Sequence, residues 1–140
     1  DLEGVVHRPS IAGWSRVTLT EAPGADAVIT TPPDWICEFV SQHEPREALG
    51  VRMRAFAKAC VPYAWVGDPL THVLVIYERD GDKWKRAHLA AGEAQGKFVP
   101  FVRVPVEFSA VWPVVHVATP ASDEGGSGIE NAGESGGASS

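Results

Sequence analysis

Glu38 sits where a carboxylate needs a reason. It lies inside Trp35-Ile36-Cys37-Glu38-Phe39-Val40-Ser41, a short, apolar, β-rich run that suits a buried strand. A carboxylate in such a strand is costly unless a metal ion or a cation pairs with it. The expected chemistry is therefore that of a buried anion: holding a divalent metal, or neutralising a nearby base. The alternative is a strand-end glutamate that reaches solvent or joins an ordinary salt bridge. Downstream, Leu49, Met53, Phe56 and Cys60 recur at helical spacing and define one apolar stripe. At about 100° per residue, Arg52 falls on the margin of that stripe, roughly 60° from Leu49, whereas Arg54 and Lys58 point to the solvated face. Arg52 is thus the helix cation best placed to reach inward. Asp68, before Pro69, reads as a turn residue rather than a ligand. The chain has no Gly-rich phosphate loop and no HExxH pair.

The elements that must position these residues begin in earnest at Pro32. The strand around Glu38 is followed by an amphipathic helix from about Glu44 to Cys60, ended by Val61-Pro62. Tyr63–Asp68 reads as a second buried strand, and strand, helix, strand with a short crossover implies a parallel pair. His72–Glu78 is a third strand, Asp80-Gly81-Asp82 a turn and Lys83–Leu89 its hairpin partner. Phe101–Phe108 alternates in part and carries Pro105, which argues for an edge strand. The expected architecture is α/β: a mixed sheet with one helix packed on it and no internal repeat.

With 140 residues and 44% apolar content, the chain has room for one core, expected over residues 1–118. Residues 119–140 are Gly/Ser/Glu-rich, with Ile129 as their only large apolar side chain, and are expected to be a disordered tail. The formal charge is −6, but the tail holds Asp123, Glu124, Glu130 and Glu134 and no base, leaving 14 acids against 12 Lys+Arg elsewhere. A near-neutral body neither demands nor forbids nucleic acid. Cys37 and Cys60 stand in apolar stretches without CxxC spacing, so buried free thiols in a reducing cytoplasm are expected. No run approaches the roughly 18 apolar residues of a membrane helix, and the N-terminus lacks a signal-peptide core. The five tryptophans are spread along the chain as core residues rather than base-stacking platforms.

The stretch PDWICEFVS, a helix ending AFAKACVP and then YAWVGDPLTHVLVIYERDGDKW resemble, in order and spacing, the Uma2 family of restriction endonucleases, which have the PD-(D/E)xK nuclease fold. Upstream, Pro9-Ser10-Ile11-Ala12-Gly13-Trp14 resembles the family's Pro-Asp-Leu-Ala-Gly-Trp, and Pro100–Trp112 its closing strand. The similarity covers about residues 5–113. The family's N-terminal helix and first strands find no counterpart and the chain starts without Met, so it reads as a truncated copy.

The resemblance implies a restriction-endonuclease-like sheet that hydrolyses DNA phosphodiesters with Mg²⁺ held on carboxylates, a lysine completing the site. It places the metal-binding catalytic glutamate at Glu38, the first aspartate at Ser10 and the lysine at Arg52. A neutral hydroxyl is a poor ligand for a hard dication, and arginine cannot serve as a base. His7, near Ser10, is a weak substitute ligand. His43 stands at the expected helix start, where the family has a small hydroxyl residue. The resemblance implies DNA as a partner; a homodimer is a separate expectation, and no membrane partner is expected. Three readings follow: an endonuclease with a degraded site and weak or absent activity, a non-catalytic nuclease-fold module that contacts nucleic acid or a protein, or a decaying paralogue.

Overall fold

The computed structural model describes residues 4–92 and 95–113; the expected tail lies outside them. A five-stranded sheet is built from β1 (Ile11–Gly13), β2 (Trp35–Phe39), β3 (Tyr63–Asp68), β4 (Val73–Asp80) and β5 (Lys83–Ala91), in that spatial order. β2 and β3 run parallel and every other neighbouring pair is antiparallel. The parallel pair is joined by helix α1 (Arg46–Lys58), the α/β architecture expected from the strand, helix, strand order. β1 starts the order well before Pro32.

Strand alternation assigns the two faces. Ile36 and Ala64 pack with Met53, Phe56 and Val61 under α1. Cys37 and Trp65, one residue further along, join Leu74, Ile76 and Ala90 on the opposite face. With period two, Glu38 falls on the helix face beside its register partner Val66, which packs under α1. The β4–β5 hairpin turns on Gly81 at φ +64°, a first loop position that favours glycine. From β5, the Trp84 indole N–H donates to the Met53 carbonyl at 2.8 Å, tying the hairpin to the middle of α1.

Two expectations need correcting. The apolar stripe of α1 consists of Leu49, Met53, Phe56 and Ala57, while Cys60 is exposed. The helix ends at Lys58, and Cys60 adopts φ +64° as its amide bonds the Ala57 carbonyl and that of Val61 the Phe56 carbonyl. This is the left-handed stop of a Schellman motif. It turns Cys60 outward and puts Val61 in the core instead. Only Cys37 is a buried thiol, with its pKa pushed up to about 12 by burial and by the charge of Glu38.

The second correction concerns Phe101–Phe108, which adds no strand to the main sheet. Only Val106–Glu107 (β7) pairs, with Gln95–Gly96 (β6), before the short helix α2 (Phe108–Val111). Pro100 and Pro105 remove two ladder donors. The last residue of the segment and the chain just ahead of it cover the sheet with side chains instead: Phe98 and Phe108 are buried against Trp65, whose indole N–H donates to the Val99 carbonyl at 2.7 Å.

The Pro-Asp pair before β2 has a structural task. Asp34 accepts the Ser15 amide at 2.6 Å and the Thr18 hydroxyl at 2.9 Å, while its own amide donates to the Gly13 carbonyl. Desolvation would raise the Asp34 pKa, but the bonds from Ser15 and Thr18 outweigh it and hold it below the ordinary value. Its stabilisation is therefore present above the unfolded carboxylate value and is lost as pH falls through the lower folded one. Asp34→Asn should cost about 1 kcal/mol at neutral pH. The gap in melting temperature between parent and variant should close in acid; a gap that widens there would refute this role.

Candidate active site and its comparison with known proteins

The strand face that buries Ile36 also buries Glu38, to 2% exposure, and three other side chains meet its carboxylate or the cation beside it. Arg52, on the margin of the α1 stripe, donates Nε to Glu38 Oε1 at 3.2 Å and Nη2 to Oε2 at 3.4 Å. Ser10 immediately precedes β1. Because Ile11 is in register with Cys37, Ser10 stands beside Glu38 at the strand end. Its hydroxyl donates to Glu38 Oε2 at 3.4 Å and accepts the Phe39 amide at 3.2 Å. Glu38 and Arg52 thus meet at one end of the sheet, with Ser10 just ahead of the neighbouring strand.

Glu44 completes the group and was not singled out by the sequence. It lies in the loop before Pro45, the N-cap of α1, and takes the outer edge of the guanidinium: Nη1 donates to Oε1 and Nη2 to Oε2, the latter at 2.9 Å. Exposure increases outward through the network, from Glu38 at 2% to Arg52 at 22% and Glu44 at 35%. The Arg52 hydrogen bond, more than any other cause, lowers the Glu44 pKa. The bond to Glu44 is likewise the largest cause raising that of Arg52, which already carried its proton at any physiological pH. Arg52 can neutralise or bind an anion; it cannot act as a base.

The remaining candidates fall elsewhere. His7 packs on the Phe56 ring at 5.7 Å. His43 is exposed in the loop ahead of the helix, which begins at Arg46. Asp68 accepts the amides of Leu70 at 3.0 Å and Thr71 at 3.4 Å, a turn role. Among the described residues, no group of three or more His, Cys, Asp or Glu could hold a metal ion. The donors around Glu38 do not fit a divalent metal: one is a neutral hydroxyl, and a guanidinium bonds both carboxylate oxygens. A pocket of about 240 Å³ opens beside the network, lined by Val40, Ser41, Glu44, Arg46, Leu49 and Asp68 among others.

No family model and no curated protein matches the sequence. Among solved structures, the chain is similar to a protein from Anabaena variabilis ATCC 29413 described as a "putative nuclease belonging to DUF820". The identity is 16% and the TM-score 0.44, over 55% of this chain and 42% of that one. The chain therefore matches less than half the length of that protein.

The Glu38 network also divides into two unlike ion pairs. The inner one removes Glu38 from water and, among the described residues, depends on Arg52 and Ser10 for the hydrogen bonds given to its carboxylate. The outer one, Arg52 with Glu44, is partly exposed to solvent, where a competing anion can reach it.

Proposed function

We propose that this chain is a nuclease-type domain directed at DNA, in which phosphodiester hydrolysis is disabled by the residues that surround its remaining acidic position. The reading is supported by the sequence resemblance, which aligns Ser10, Glu38 and Arg52 with a catalytic triad, and by their convergence in space. The observation that carries the loss of activity is the engagement of both Glu38 carboxylate oxygens, which accept three hydrogen bonds from Arg52 and Ser10. Opening either oxygen to a metal would mean stripping a guanidinium from a buried carboxylate, at a cost that a single neutral co-ligand does not offset.

The test is a supercoiled-plasmid assay with Mg²⁺ and with Mn²⁺, run beside duplex binding by fluorescence anisotropy. The parent should bind duplex with an affinity that falls as salt rises, and should nick plasmid no faster than a Glu38→Gln control. Nicking by the parent that Glu38→Gln abolishes would show a working enzyme. Absence of any duplex binding would remove DNA as the partner.

A further inference from the structure

The gradient of exposure through the Glu38–Arg52–Glu44 network gives its two carboxylates different tasks. Glu38 is buried and fixed by Ser10 as well as Arg52, so it holds the guanidinium from within. Glu44 is a third exposed, sits in a loop, and grips the outer Nη1–Nη2 edge of Arg52 end-on. Two parallel N–H groups with one oxygen bonded to each form the geometry by which arginine recognises either a carboxylate or a phosphate. The inner pair costs much to break because it would strand a buried charge, whereas the exposed outer pair costs little.

We propose that the outer edge of Arg52 is a phosphodiester-binding site and that Glu44 occupies it as an internal mimic of the phosphate. A nucleic-acid phosphate entering the neighbouring pocket displaces Glu44 and takes over the Nη1–Nη2 edge, while Glu38 keeps Arg52 in place. The pocket wall supplies Ser41 as a hydroxyl donor and Arg46 as a second cation. Asp68 also lines it; its Oδ1 accepts the amides of Leu70 and Thr71, and Arg46 offsets its remaining charge. The site rests on the reading of this chain as a DNA-directed domain, yet it calls for no metal and no cleavage. It makes Glu44 a latch: with the loop in place the Nη1–Nη2 edge is occupied, and it opens to a ligand that brings its own negative charge to the same edge.

The experiment measures binding of a short fluorescein-labelled duplex by the full chain and by Glu44→Gln, with Glu47→Gln as a control that removes an equal charge from the exposed first turn of the same helix. Glu44→Gln should tighten binding about fivefold or more, and Glu47→Gln should fall well short of that. Adding Arg52→Lys to Glu44→Gln should erase the gain, since an ammonium cannot present two parallel donors. In a parallel arm, inorganic phosphate should protect Glu44→Gln from heat less than duplex does; equal protection would make the site one for free phosphate and overturn its assignment to nucleic acid. Equal gains from Glu44→Gln and Glu47→Gln would reduce the effect to net charge and overturn the latch, and so would a gain that survives Arg52→Lys. A parent that binds duplex and is unchanged by Glu44→Gln overturns the latch alone; if neither protein binds duplex, the DNA reading fails with it.

Discussion

The double variant Ser10→Asp, Arg52→Lys should cleave plasmid DNA in the presence of Mg²⁺ or Mn²⁺, about 10²-fold or more above the parent, while each single variant stays near background. The geometry explains why the two changes act as a unit. Ser10 Oγ lies 3.4 Å from Glu38 Oε2, so an aspartate at position 10 brings a second carboxylate to within reach of a metal shared with Glu38. Alone, that carboxylate still meets a guanidinium that bonds both oxygens of Glu38. Lysine in place of Arg52 offers a compact ammonium, gives up the two-pronged grip, and restores a group able to orient or deprotonate a bound water. Alone, it leaves one charged ligand and weak metal binding. A parent that already cleaves as fast as the double variant would show that the substitutions are not crippling. A well-folded double variant that stays inert would mean that these residues do not form the site, or that the chemistry needs a part of the protein beyond this chain.

Arg52→Met should destabilise the domain by about 3 kcal/mol, the low end for breaking a buried pair because Arg52 itself is partly exposed. That corresponds to a fall in melting temperature of about 10 °C or more for a domain of this size. The loss comes from Glu38, left at 2% exposure with the Ser10 hydroxyl as its remaining donor. Glu38→Leu combined with Arg52→Met should recover most of it, since an apolar pair of similar volume strands no charge. Thermal unfolding followed by circular dichroism decides the matter. If Arg52→Met melts with the parent, Glu38 is not the buried anion described above, and the closed state of the site loses its energetic basis.

The residues that the sequence made legible are those that lie inside regular elements. Glu38 stood out because it is the carboxylate in an apolar, β-rich run, and Arg52 because its helical angle left it on the margin of the stripe. Both inferences survive because β2 and α1 are regular. Glu44 was missed for the converse reason: it precedes Pro45 in an irregular loop, and helical geometry gives such a residue no direction. Its eight-residue separation from Arg52 became a contact only through the path of that loop. Cys60 failed at the opposite end of the helix, where the period was carried onto the residue that reverses φ. Phe101–Phe108 alternates like a strand, yet the large side chains flanking Pro100 and Pro105 cover a sheet face instead of pairing with an edge. In each case a local rule was applied across a point where backbone geometry changes hands.

The bond from the Trp84 indole to the Met53 carbonyl bears on how the site keeps its dimensions. Met53 follows Arg52 directly on α1, so the indole grips the helix backbone at the turn that carries the guanidinium. β5, which bears Trp84, forms one edge of the sheet, and β1, which Ser10 precedes, forms the other. The roll of α1 about its own axis is thereby set from the far side of the molecule. A few degrees of that roll would carry the Arg52 fork sideways across Glu38, so the β4–β5 hairpin acts as the set-screw of a site it never touches.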